Sequence, residues 1–348
     1  MFRRKTAFFI SAFLMTAVVL TSVTAGIVLT GCQPTGGNRK TKLVLNEVAH
    51  SIFYAPMYVA LENGYFEDEN LDVTLVNGKG ADHVMTAVLA GEAQIGFMGS
   101  ESSVYVYKEG AKDYIVNFSQ LTQKAGNFLV GRTKETDFSW DKLKGKTVLG
   151  GREGGMPEMV FEYILKQNNI SIEKDLNIVK NIDFGLTAQA FSAGQGDYTV
   201  EFEPFAAGLE EEGKGVVLAS LGEASGSVPY TAFSAKKSYL ENNPEAIQAF
   251  VNAIQKGLEF VREHEPAEIA EVIQPQFQET KREKIITIVT RYKNQDTWKE
   301  NQIFEKDSFD LLQKILTEGG VLKGNVPYDK LIDTRFAKKA VEADSAVK

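Results

Sequence analysis

Two glutamates near the middle of the chain carry the most pointed chemistry. Glu201 and Glu203 flank Phe202 and stand just before Pro204. If a strand runs through them, alternation puts both side chains on one side. A carboxylate that accepts two hydrogen bonds suits an amine or an aminopyrimidine edge. The same pair also reads as two solvated loop acids. Residues 150–157, Gly-Gly-Arg-Glu-Gly-Gly-Met-Pro, are the most informative loop. Their glycines, Gly154 and Gly155 among them, let backbone approach a ligand closely. A helix starting at Pro157 then offers a positive N-terminus. Arg152 in that loop is either a surface ion-pair partner or an anion contact. Gly99-Ser100-Glu101-Ser102 is a strand-to-helix turn whose amides and hydroxyls can meet polar ligand atoms, or simply cap the helix. Phe53 and Tyr54 either stack on a flat ligand or belong to the core. In the turn at 183–187, Phe184 can line a cleft and Thr187 can cap. Tyr230, after Pro229, is placed to act as a lid beside a hinge.

Enzyme signatures fail around these residues. Lys144-Gly145-Lys146-Thr147 imitates the end of a phosphate loop, but Trp140 occupies the position of its first glycine. Gly78-Lys79-Gly80 opens a dinucleotide-like fingerprint, and His83 replaces its third glycine. No serine sits in a nucleophile-elbow context. The histidines, at 50, 83 and 264, are scattered, and the single cysteine, Cys32, excludes a zinc site built on several thiolates and a disulfide framework. A net charge of −8 argues against a nucleic-acid binder. No metal and no cofactor are expected.

The elements that must position these residues form an α/β pattern. Across 348 residues, 43% hydrophobic and 24% charged, the composition is globular and the length suits about two domains. Strand-like runs at 43–45, 71–76, 95–97 and 114–121 alternate with helical stretches at 56–63, 82–90 and 102–108. The rhythm restarts after Gly131, with strands at 146–149, 177–180, 198–201 and 216–219 and helices at 156–167 and 186–193. Beyond Lys236 the chain is helical, with Ile247, Phe250, Val251, Ile254, Leu258 and Val261 on one stripe. Two largely parallel sheets flanked by helices imply two lobes around a cleft. Its walls are then loops beyond the carboxyl ends of strands: residues 50–54, 78–80, 99–101, 150–156, 183–185 and 201–204.

Ahead of this pattern, Arg3, Arg4 and Lys5 precede an uncharged apolar run from residue 7 to 29, followed by Leu29-Thr30-Gly31-Cys32. The run is long enough for an anchor helix. The terminal tetrapeptide resembles a bacterial lipobox, which implies cleavage of residues 1–31 and lipidation of Cys32. Residues 32–41 are then the lipidated cysteine and a polar tether.

Residues 53–66, Phe-Tyr-Ala-Pro-Met-Tyr-Val-Ala-Leu-Glu-Asn-Gly-Tyr-Phe, resemble the signature of substrate-binding lipoproteins of ABC importers in the nitrate/sulfonate/taurine and thiamine-pyrimidine class. Leu71-Asp72-Val73, the stretch 90–97 with Gln94 where that family has aspartate, Gly196-Asp197-Tyr198 and Phe202-Glu203-Pro204 continue it in order. The likeness runs from about residue 42 to 260. It implies a type II periplasmic-binding fold with lobe 1 over 42–122, lobe 2 over 123–231, and a return to lobe 1 with C-terminal helices over 232–348. It further implies a monomeric, extracytoplasmic, lipid-anchored receptor, without catalysis, that hands a small molecule to membrane permease subunits. A yeast pyrimidine synthase on this fold uses a cysteine-rich motif, and this chain has no cysteine in its folded part. The ligand stays open. A thiamine-precursor pyrimidine suits the aromatics and Glu203, and is favoured. A sulfonate or nitrate wants a cleft cation, for which Arg152 stands out. An enzyme or a sensor on the same fold are the remaining alternatives.

Overall fold

The structure is a computed structural model that describes residues 40–182 and 185–347. Cys32, the leader and Phe184 lie outside the described residues. Ten strands form two five-stranded sheets. The first contains β1 (Thr41–Glu47), β2 (Leu71–Asn77), β3 (Ile95–Gly99), β4 (Ile115–Thr122) and β10 (Thr231–Lys236), in the order β2-β1-β3-β10-β4. The second contains β5 (Asn127–Gly131), β6 (Thr147–Leu149), β7 (Asn177–Val179), β8 (Tyr198–Phe202) and β9 (Val216–Ser220), in the order β7-β6-β8-β5-β9. The chain crosses from the first sheet to the second at residues 123–126 and returns into β10.

Each sheet holds one strand that runs against its neighbours. β1 pairs in parallel with β2 and β3, and β6 with β7 and β8. β10 is antiparallel to β3 and β4, and β5 is antiparallel to β8 and β9. β5 arrives directly from β4, without the helical crossover that a parallel neighbour needs, and β10 follows β9 after the short helix Leu221–Ser225. Neither stands out in the sequence, because Asn127–Gly131 and Thr231–Lys236 are short runs buried along nearly their whole length, with no alternation to mark a solvated face.

The helical stripe after Lys236 appears as the helix Pro244–Glu263, with all six stripe residues buried. It packs on the helix Ala55–Glu62, whose first-turn Pro56 opens it. The approach is close enough that a Cβ at Gly257 would meet the Pro56 carbonyl oxygen at 2.2 Å. Phe97 stacks on Phe233 at 4.3 Å between ring centroids, joining β3 to β10 within the same core.

The last third of the chain touches both sheets' layers. From the helix Arg282–Asn294 and the residues after it, Tyr292 donates to the Gly126 carbonyl at 3.0 Å and Gln295 to the Ala125 carbonyl at 3.1 Å, at the first crossing. Trp298 Nε1 donates to the Phe53 carbonyl at 2.8 Å. Lys166, on the helix Met156–Gln167, donates to the Glu318 carbonyl at 2.6 Å, at the end of the helix Lys306–Glu318. Residues 306–318 therefore also contact the second sheet's layer. Among the described residues no helix is long and apolar enough to cross a membrane.

Candidate functional site

A cavity of about 240 Å³ opens between the two sheets, walled by loops at the carboxyl ends of their strands. The first sheet contributes Val48 after β1, Gly80 to Asp82 after β2, Gly99, Glu101 and Ser102 at and after the end of β3, and Tyr230 and Thr231 at the start of β10. The second contributes Gly151 to Pro157 after β6, Ile182 after β7, and Val200 to Phe202 at the end of β8. Five aromatic residues stand in the wall: Tyr54, Tyr105, Phe202, Phe205 and Tyr230.

Two buried carboxyl groups stand in this apolar wall. Glu101 precedes the helix Ser102–Lys108 and is 2% exposed. Its Oε2 has no hydrogen-bond partner. Burial pushes its carboxyl up to about 8, although its own amide and that of Met156 pull the other way. Glu201, also 2% exposed, accepts from the Thr199 hydroxyl at 2.5 Å and the Thr187 hydroxyl at 3.0 Å. Burial raises it to about 7, and the two hydroxyls moderate the rise.

Glu203 is elsewhere. β8 ends at Phe202, so strand alternation stops before it and the two glutamates do not share a side. Its carboxylate is fully buried, accepts from Arg291 of the helix Arg282–Asn294, and accepts from the Ala207 amide at 2.9 Å. It forms no part of the cavity wall. The cleft-facing carboxylate is Glu201, and Glu203 ties the helix Phe205–Glu211 to the return segment.

The other expected residues divide. Tyr54 and Thr187 line the cavity, as do Gly154 and Gly155. Phe53 lies behind the wall, fully buried, its ring 5.7 Å from Tyr230 and 5.2 Å from Tyr292. A Cβ at Gly126 would sit 2.6 Å from that ring, so glycine lets the first crossing pass against it. Ser100 is fully buried, and its hydroxyl donates to the Pro229 carbonyl rather than into the cavity. Tyr230 presents its ring to the cavity while its hydroxyl donates to Asn127 Oδ1 at 2.5 Å. It is thus held across the crossing and is no loose lid. Arg152 reaches Asp82 with both terminal nitrogens, at 3.3 and 3.2 Å.

The glycine-rich loop is anchored from both sides. The Gly154 carbonyl accepts from Tyr105 at 3.0 Å, and its amide donates to Glu158 at 3.2 Å. Lys180 bridges Glu158 and Glu162 beneath it. Positive φ at Gly151 and Gly154, 94° and 78°, favours glycine there. Tyr105, Met85 and Phe205 were not among the expected site residues. Tyr105 lies four residues beyond Glu101, one helical turn along the same face, and that spacing was the available signal. No group of three potential metal ligands occurs among the described residues.

Four similarities bear on this geometry. The model of the NMT1/THI5-like family matches residues 52–269. Putative binding protein YtlA of Bacillus subtilis (strain 168) is 44% identical over 299 residues, covering 86% of this chain and 90% of that one. The 4-amino-5-hydroxymethyl-2-methylpyrimidine phosphate synthase of Candida albicans (strain WO-1) is 23% identical over 227 residues, 61% of this chain and 64% of that one. The crystal structure of the periplasmic nitrate-binding protein NrtA of Synechocystis PCC 6803 superposes with a TM-score of 0.73 at 15% identity, over 87% of this chain and 89% of that one. The two sheets and their crossings are accordingly those of the periplasmic binding protein fold.

Proposed function

Because this chain belongs to the NMT1/THI5-like family, we propose that it is the substrate-binding component of an ABC importer. In this reading it captures a small molecule between its two sheets outside the cell membrane and passes it to permease subunits. Cys32, by its lipobox-like setting, carries the lipid anchor. One observation carries the reading: a cavity with five aromatic residues and a buried carboxyl from each sheet in its wall, in which Arg152, the one cation among the described wall residues, is already paired with Asp82. Such a wall suits a flat heteroaromatic ring bearing N–H groups, and a thiamine-precursor-like aminopyrimidine is the ligand we assign.

The described residues include no cysteine, and the cavity wall has no histidine. The likeness to a pyrimidine phosphate synthase is therefore read as shared recognition of a pyrimidine, without turnover. A second reading is supported by the fold shared with a nitrate-binding protein and by the start of the helix Met156–Gln167 at the cavity. An anion such as nitrate or an alkanesulfonate would then sit at that N-terminus. Mass spectrometry of ligand retained by the purified protein decides between them. A bound aminopyrimidine supports the first reading, a bound sulfonate the second, and conversion of the ligand by the protein would overturn both.

A further inference from the structure

The buried glutamates of this chain differ in one respect. Glu47 accepts from Tyr58 at 2.6 Å, Glu158 and Glu162 are met by Lys180, Glu201 by two threonines and Glu203 by Arg291. Glu101 alone among these has a carboxylate oxygen, Oε2, that is buried without a partner. A buried polar atom left unpaired costs free energy comparable to a lost hydrogen bond, so a partner is expected when the site is in use. Two phenols of the wall are committed elsewhere, Tyr105 to the Gly154 carbonyl and Tyr230 to Asn127. Arg152, the cation of the same wall, is held by both oxygens of Asp82.

The seat for this carboxyl is also built. A Cβ at Gly99 would come within 2.2 Å of Glu101 Oε2, so the side chain folds back over residue 99 only because glycine is there. Gly99 has no positive φ, so space rather than backbone conformation demands glycine at this position.

We propose that Glu101 is the residue that selects the ligand, its free oxygen accepting from an N–H donor on an amidine-like edge of a heteroaromatic ring, which excludes anionic ligands. This deepens the receptor reading above and rests on it. Glu201, with both oxygens already occupied by hydroxyls, shapes the opposite wall, whereas Glu101 supplies the unmet acceptor. In its ionised form Glu101 accepts from an N–H donor and repels an anion brought against it.

The test is calorimetric titration of the parent, Glu101→Gln and Gly99→Ala with four probes: 4-amino-5-hydroxymethyl-2-methylpyrimidine, benzamidine, nitrate and taurine. Thermal melts confirm that each variant is folded. The expected result is that the parent binds the pyrimidine or benzamidine, and both variants weaken that binding at least tenfold. A Glu101→Gln protein that binds them as the parent does overturns the proposal, with a buried water as the natural partner of Oε2. A parent that binds only nitrate or taurine overturns it too, and supports the anion reading. A parent that binds none of the four overturns the ligand class. Retention of an endogenous ligand, read by mass spectrometry, separates the two levels. A ligand kept equally by parent and Glu101→Gln removes the role of Glu101 and leaves the receptor standing. A parent that neither retains a ligand nor binds any probe removes the receptor reading itself.

Discussion

At the scale of single residues, the three central glutamates have different work and should respond differently to the same change. The carboxyl of Glu101 is raised by burial to about 8, so the folded protein holds a proton there that the unfolded chain releases near the ordinary carboxyl value of 4.5. The linkage sign follows: its contribution to stability is complete below about 4.5 and is lost as pH rises through 8. The parent should therefore melt at progressively lower temperature between pH 5 and pH 8.5, and Glu101→Gln should show a flatter profile. Parallel profiles would show that Glu101 is not desolvated in solution. Glu203→Gln tests the opposite expectation. It removes one partner of the buried pair with Arg291, so stability should fall by about 1–3 kcal/mol in chemical denaturation. Binding should be unchanged, because that carboxylate lies outside the cavity wall. Loss of binding with unchanged stability would return Glu203 to the cleft.

At the scale of elements, the glycine-rich turn after β6 and the helix pair behind the first sheet carry separate predictions. Tyr105 reaches out of the helix Ser102–Lys108 to the Gly154 carbonyl and so joins a first-sheet helix to a second-sheet loop. Tyr105→Phe removes that one hydrogen bond, worth about 0.5–1.5 kcal/mol net. Ligand affinity should fall roughly 2- to 10-fold, mostly through faster release in stopped-flow experiments. Unaltered release would mean that the loop closes without this bond. Gly257→Ala acts far from the cavity. The added methyl group would overlap the Pro56 carbonyl, so the helices Ala55–Glu62 and Pro244–Glu263 must separate. A loss of about 1–3 kcal/mol, without change in affinity, is the expected outcome of such overpacking.

At the scale of the whole molecule, Arg152 with Asp82 and Tyr105 with Gly154 join the two walls of the cavity. The ion pair is half exposed, and exposed pairs are typically worth about 0–1 kcal/mol. Arg152→Gln should accordingly speed ligand release by no more than roughly fivefold, and raised salt should reproduce that effect in the parent. X-ray scattering should show a smaller radius of gyration at saturating ligand than without it. Identical curves would count against closure.

What the sequence determined by itself was whatever is written in local periodicity. The stripe from Ile247 to Val261 is legible because a helix repeats every 3.6 residues. The loops at 99–101 and 150–156 are legible as cavity walls because an α/β sheet opens at the carboxyl ends of its strands. Tertiary structure decided the rest. β5 and β10 are fully covered strands, and continuous burial leaves no alternation to read. Glu201 and Glu203 carry the same chemistry two positions apart. Which of them faces the cavity depended on β8 ending at Phe202 and on Arg291, 88 residues further along, being packed against Glu203. No local pattern encodes a partner at that distance, because side-chain direction past a strand end is set by the packing that the completed fold brings to it.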